Sequence, residues 1–233
     1  LGVGAVQFTS NSAGTAGEYF QLPQCYISSN PYGGSTGTFN LLDCIAITYG
    51  GVTAVVKFYE PPGGMGVILS FLTVQYPNSP SYGWTLWIYI GTNGYLYMED
   101  YAGYVWRLST PISPGWHTLV FSEYYSSGTY YMQAWLDGNY IGENSTTNKP
   151  QLFGQGYGGP GPYPYGYIGT GFTYNIPNTP DNGWWFFNGS IALIALYPGP
   201  PTQAEINVAS GGPLPPGYIA LYTAGSYVSS TDV

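Results

Sequence analysis

Turn residues punctuate this chain more tightly than any other feature of its sequence. Segments rich in Val, Ile, Tyr, Phe and Trp are cut throughout by clusters of Gly, Pro, Asn and Ser. β-branched and aromatic side chains suit a pleated surface, and the clusters supply chain reversals. The pattern predicts strands over 5–9, 19–22, 46–48, 53–60, 66–75, 84–91, 95–100, 105–108, 116–125, 129–136, 139–143, 165–170, 186–197 and 217–223. Asn93-Gly94 and Asp137-Gly138 each stand between two such runs and read as hairpin turns. In 130–136 the residues Tyr130, Met132, Ala134 and Leu136 fall on one face of an alternating strand. So many short strands at this spacing predict an all-β fold, an antiparallel β-sandwich or jelly roll, as a single domain over 1–233.

One short helix is expected near 202–208. Thr202-Gln203-Ala204-Glu205 follows Pro200-Pro201 and has capping-box form, in which hydroxyl and carboxylate each satisfy a free backbone N–H. Ile206 and Val208 would dock on a sheet. The stretch 154–167 contains only Gly, Pro, Tyr and one Gln and interrupts the strand pattern. It reads as a long loop, either self-packed over the sandwich end or offering Tyr157, Tyr163 and Tyr165 as contact residues.

Charge is scarce. The 233 residues hold 3 Lys+Arg, 11 Asp+Glu and 1 His, for a formal net charge of −8. Three basic residues cannot neutralise a phosphate backbone, which excludes nucleic acid as a partner. A content of 44% apolar and 18% aromatic residues excludes disorder, and the charged helical composition of a coiled coil is missing. The longest apolar runs, such as 191–197, fall well short of the roughly 20 residues that span a bilayer as a helix. Few titratable groups predict a weak dependence of stability on pH. A surface wetted by Tyr, Ser, Thr and Asn fits an acidic, hot, extracellular setting, hence an acid-stable, thermophile protein. The alternative is a secreted protein of a neutral habitat with a Tyr-rich surface.

The two cysteines, Cys25 and Cys44, are either a disulfide closing a loop of about 20 residues or two buried thiols. Two Cys and one His do not make a metal site. The chain begins at Leu1 without an initiator Met, as a processed secreted protein would. Asn144-Ser145-Thr146 and Asn188-Gly189-Ser190 fit the N-glycosylation pattern, so Asn144 and Asn188 are candidate acceptors.

Several segments, in order, resemble one family. Trp116-His117-Thr118-Leu119-Val120-Phe121 resembles the W-H-x-V strand of the laminin-G-like, concanavalin A-like jelly rolls. The run from Ala134 to Gly142 is similar to their Y-x-D-G-x-x-x-G hairpin, and Tyr167-Ile168-Gly169 to their I-G strand start. Phe187 to Tyr197 resembles their F-x-G-x-I-x-x-V-x-x-Y strand, and Thr202 to Ile206 the L-s-x-x-E-I that follows it. The openings Ala5-Val6-Gln7-Phe8 and Glu18 to Pro23 fit as well, so the resemblance covers about 5–208. It implies a concanavalin A-like jelly roll with Trp116, Trp135 and Phe187 as large core residues. Some members hold calcium through loop carboxylates and carbonyls. No cofactor is expected here beyond a structural calcium, which the resemblance leaves open with no ligand assigned. Ala192 and Leu193 replace an acidic pair of the family, which implies an apolar surface covered by a neighbour. Residues 209–233 extend beyond the family pattern as an extra strand.

The search for chemistry yields little. Glycoside cleavage needs two carboxylates at fixed separation. No two of the acids lie at i, i+2 or i, i+4, and on a strand Glu99 and Asp100 would point to opposite faces. Only a pair converging from distant strands could serve, which leaves a glycoside hydrolase as the third reading. His117 is placed as a structural or surface residue, and no G-x-S-x-G elbow accompanies it. Trp184-Trp185 is either a sugar-stacking platform, with one ring facing solvent, or a pair of core aromatics.

Sandwich edges need guarding, commonly by Lys, and this chain has two. Few guards are tolerable where a neighbouring copy covers the edges. The apolar start of the chain, with Leu1 and Val3, could add to a neighbour's sheet, or it could pair within its own. The sequence therefore leads us to expect a non-enzymatic extracellular structural protein, the repeating subunit of a surface filament, pilus or virion coat, homo-oligomeric and without a membrane span. The alternative is a lectin-like module that binds cell-surface glycans. Trp184 and Trp185 are its candidate contacts.

Overall fold

Alternation along the longest strands sets the layers. In β11 (Thr129–Leu136), Tyr130, Met132, Ala134 and Leu136 pack into the main core, which sends Tyr131, Gln133 and Trp135 outward. The computed structural model describes residues 6–8, 17–81, 84–101, 104–107, 111–154, 162–180, 182–223 and 226–229.

Among the described residues, strands are numbered in chain order and every pairing is antiparallel. One sheet runs β12 (Asn139–Thr146), β11, β10 (Gly115–Ser126), β5 (Gly51–Glu60), β16 (Gly189–Pro198), β17 (Ala220–Thr223), β18 (Ser226–Ser229). β1 (Val6–Phe8) also pairs with β16, Val6 opposite Ile191. The second sheet runs β2 (Phe20–Gln21), β13 (Tyr165–Ile168), β6 (Gly66–Leu72), β7 (Trp84–Ile90), β8 (Leu96–Tyr101), β9 (Tyr104–Arg107). The core lies between them, where Val56, Phe58, Leu119 and Phe121 meet Leu69, Phe71, Trp87 and Met98. The all-β antiparallel sandwich expected from the sequence is observed.

A third layer covers the six-stranded sheet. The hairpin β14 (Thr170–Thr173) and β15 (Gly183–Phe186) contacts β6 and β7. Its approach is so close that a side chain at Gly171 would collide with Leu86 and Ser70. The predicted strand 165–170 is thus two strands in different sheets, broken at Gly169, whose φ of 86° an L side chain rarely adopts.

Two helices accompany the sheets. α2 (Gln203–Val208) has the expected capping box: Glu205 N–H donates to Thr202 Oγ1 and Thr202 N–H to Glu205 Oε2. α1 (Leu41–Tyr49) corrects the strand predicted over 46–48. Asn40 Oδ1 caps it by accepting from Leu42 N–H, and Gly50 ends it in the left-handed region. A helix buried on nearly all sides has no polar face, so its sequence reads like a buried strand. The hairpin of β3 (Gln24–Ile27) and β4 (Gly37–Asn40) leads into α1, and the Cys25–Cys44 disulfide joins the two.

The C-terminal extension adds β17 to the edge of β16, as expected, and its approach covers the outer face of the eight-stranded sheet. Leu214, Tyr218 and Leu221 pack with Val208 and Ala209 over Val55, Val120 and Ala195. Leu193 belongs to the same cluster, and Ala192 is buried at a bulge in β16. Leu193 is therefore partly covered by the chain's own tail.

Candidate functional site

Beyond the edge of that tail, the outer face of β10, β11 and β12 carries a cross-strand ladder of aromatic and polar side chains. Strand alternation turns Tyr124 of β10 and Tyr131 of β11 to the same side, directly opposite each other. Their rings stack at 5.3 Å with planes 21° apart. One rung along, Gln133 faces Glu143 of β12 and donates Nε2–H to Glu143 Oε2 at 2.5 Å. On the next rung Trp135 faces Tyr140, with ring centroids 5.2 Å apart. Tyr140 is 56% exposed, whereas Trp135 leans on the cluster beneath α2.

The electrostatics are those of a neutral, hydroxylated surface with one carboxylate. Partial burial raises the phenol pKa values of Tyr124 and Tyr140, and the Glu143 charge raises them further. Both phenols stay protonated and can donate and accept. The ladder thus offers ring faces, phenol hydroxyls, an amide and a carboxylate within three neighbouring strands. That set can stack against apolar C–H faces and bond hydroxyl groups.

The structure does bring distant carboxyls together, but in the interior. Asp43 of α1, Asp100 of β8 and Glu123 of β10 are fully buried between the sheets. Asp100 accepts from the backbone N–H groups of Gln151 and Leu152 and shares a side-chain hydrogen bond with Glu123. Glu123 Oε2 accepts from Trp87 Nε1 at 2.9 Å, and Asp43 from the Asn40 amide. Burial pushes Asp100 up to about 7 and Glu123 and Asp43 well above the carboxylate range, with neighbouring acids adding to the rise for the latter two. Glu99 points to the other face of β8, beside Tyr89, and burial raises it to about 8. Glu60 is raised to about 8 for the same reason. All five acids are buried away from solvent. Among the described residues no group of His, Cys, Asp or Glu could hold a metal.

The contacts expected from the sequence fall elsewhere. Trp184 is 9% exposed and Trp185 1%, so neither ring faces solvent. β15 lies between layers: Trp185 packs with Tyr89 and Tyr97, and Trp184 with Tyr167 and Phe172, while its Nε1 donates to the carbonyls of Pro77 and Asn78. Tyr163 is buried against Phe71, which corrects its placement as a contact residue, and Tyr165 is half-buried in β13. Leu1, Val3 and Tyr157 lie outside the described residues. Asn188 is exposed between β15 and β16, and Asn144 is half-buried within β12. Trp116, expected in the core, is exposed, and its neighbour His117 faces inward instead. The ladder is the complement of the Tyr130–Leu136 face that the sequence alternation picks out, and no sequence motif marks it.

The fold has solved counterparts. A candidate carbohydrate-binding protein from Bacteroides ovatus is 13% identical, with a TM-score of 0.53 over 97% of this chain and 53% of that one. A heptameric SAP-like pentraxin from Limulus polyphemus is 12% identical, with a TM-score of 0.53 over 96% of this chain and 90% of that one. The likeness is one of fold. This is a jelly-roll β-sandwich of the concanavalin A-like kind. The chain spans about half the length of the Bacteroides ovatus protein. No protein-family model and no curated protein matches the sequence. Among the described residues, no helix is long and apolar enough to cross a membrane.

Proposed function

We propose that this protein is a non-catalytic, extracellular carbohydrate-binding module that takes neutral glycans across the outer face of β10–β12. The observation that carries the reading is the cross-strand ladder, where stacked Tyr124 and Tyr131 and the Trp135–Tyr140 pair flank the Gln133–Glu143 hydrogen bond. Aromatic faces and a fixed amide–carboxylate pair are the groups that recognise sugar rings and their hydroxyls. The Bacteroides ovatus counterpart, described as a candidate carbohydrate-binding protein, supports the same reading. Burial of the converging acids removes support from hydrolysis. The Cys25–Cys44 disulfide fits an oxidising, extracellular compartment. Assembly into a filament through the amino terminus has less support, because β1 pairs with the chain's own β16.

The test is a glycan array followed by titration of the best neutral oligosaccharide. Tyr131→Ala and Gln133→Ala should each weaken binding by about tenfold while leaving the thermal unfolding profile intact. Unchanged affinity in both variants would remove the ladder as the site.

A further inference from the structure

At the opposite end of the same sheet face stands a second aromatic surface of different charge. Trp116 of β10 is 49% exposed, and it is the one exposed Trp among the described side chains. Tyr59 of β5 lies directly across from it, the rings 5.6 Å apart and tilted by 56°. Two residues back along β5, Lys57 projects on the same side, with Nζ 6.0 Å from the indole centroid. That distance is at the outer limit of a cation–π contact, so the ring does little to satisfy the ammonium.

Among the described residues no carboxylate pairs with Lys57. The ion pair found among the described residues is His117–Asp137, and Asp137 is also held by Thr118 N–H. Six of the acids are buried, and Glu143 sits on the ladder, paired with Gln133. Placing one of only three basic side chains beside the exposed indole gives this surface a sign opposite to that of the ladder. Thr118 faces Lys57 and Ser190 faces Tyr59 in register, so hydroxyl groups border the rings.

We infer that Trp116, Tyr59 and Lys57 form a second glycan site, selective for a pyranose that carries a carboxylate. The indole would stack on the apolar face of the sugar, the ammonium would meet the carboxylate, and the flanking hydroxyls would bond the ring substituents. The ladder, whose charged group is Glu143, would repel such a sugar. The two surfaces therefore sort glycans by charge.

The intact chain should be titrated with sialyllactose and with a glucuronate-containing tetrasaccharide, each against its neutral counterpart, following indole fluorescence. Binding of at least one acidic ligand in preference to its counterpart is expected, weakening as salt rises. Trp116→Ala should reduce that binding by about tenfold. Lys57→Gln should reduce it by about fivefold and erase the preference over the neutral sugar. Far-ultraviolet dichroism and retained binding of a neutral glycan at the ladder would show that both variants are folded. Tyr131→Ala should leave acidic-sugar binding intact, which separates this inference from the ladder reading. The inference is overturned if no acidic ligand binds, if acidic and neutral ligands bind alike, or if Lys57→Gln binds the acidic ligand as the unaltered chain does.

Discussion

His117 is held by Asp137 across the β10–β11 hairpin: Nδ1 lies 2.6 Å from Asp137 Oδ2, and Nε2 lies 2.7 Å from the Ser113 carbonyl. Both ring nitrogens face oxygens, one on each side of the ring. Asp137 Oδ1 also accepts from Thr118 N–H, and Asp137 itself sits at φ 50° beside Gly138 at φ 82°. The carboxylate therefore locks a buried ring to the turn that presents β11. Asp137→Asn keeps a residue that tolerates positive φ and loses the charge. It should cost about 1 kcal/mol, and Asp137→Ala about 2, in urea unfolding at neutral pH. Equal stability of both variants to the parent would mean that the contact does not hold the hairpin.

The buried acids predict a pH dependence that the scarcity of charge conceals. Burial raises Glu60 and Glu99 to about 8 and Asp100 to about 7, and Asp43 and Glu123 rise as well. A carboxyl whose folded pKa lies above its unfolded value near 4 binds its proton more tightly in the folded chain. That stabilisation is complete below about pH 4 and is lost as pH rises towards 7–8. The melting temperature should therefore fall steadily from pH 4 to pH 8 rather than stay level, as the low charge content implied. Each such group steepens the fall by up to about 1.4 kcal/mol per pH unit. Glu123→Gln should flatten the profile, because an amide fills the site without titrating. A melting temperature that climbs between pH 4 and pH 8 would contradict this account.

The strands that carry the face beside the ladder were readable because they alternate. Residues 129–136 occupy the observed bounds of β11, and Asp137-Gly138 makes the expected turn. What alternation could not convey was the number of layers. Trp184 and Trp185 sit on one strand with rings on opposite sides, and both are buried because a third layer puts protein on each side of β15. The same limitation hid α1, whose Leu, Ile and Ala meet protein all round. Trp116 lies outside the core, against expectation, for a simpler reason, while His117 is the structural residue of its two expected readings. Alternation separates two faces without saying which is inner, and the polar anchors Asp137 and Ser113 decide it here. The ladder needed a further step, because cross-strand rungs such as Gln133–Glu143 depend on a bulge between Ala134 and Trp135 that no local pattern announces.

The disulfide has a separate, measurable weight. Cys25 in β3 and Cys44 in α1 are 19 residues apart, and Cys44 is fully buried. A loop of that size is worth about 3 kcal/mol through restriction of the unfolded chain. The double variant Cys25→Ala, Cys44→Ala should lose about that much in denaturant unfolding. Binding at the ladder should persist under conditions where the variant is folded, because the bridge ties β3 to α1 and not to β10–β12.

Gly171 tests whether the third layer is integral to the sandwich. Its backbone lies so near β6 and β7 that a single methyl group would collide with Leu86 and Ser70. Ser70 cannot easily yield, since its hydroxyl donates to the Thr170 carbonyl at 2.5 Å, and Leu86 packs against Trp185. Gly171→Ala should therefore cost about 1–3 kcal/mol, as overpacking of a close-packed interior does. The lifted hairpin would expose Trp185, so the variant should also show red-shifted indole emission before global unfolding. Trp185→Phe in the same background would remove that early spectral change if this ring reports the lifting. A Gly171→Ala chain as stable as the parent, with unshifted emission, would show that β14–β15 can move off the sheet at little cost.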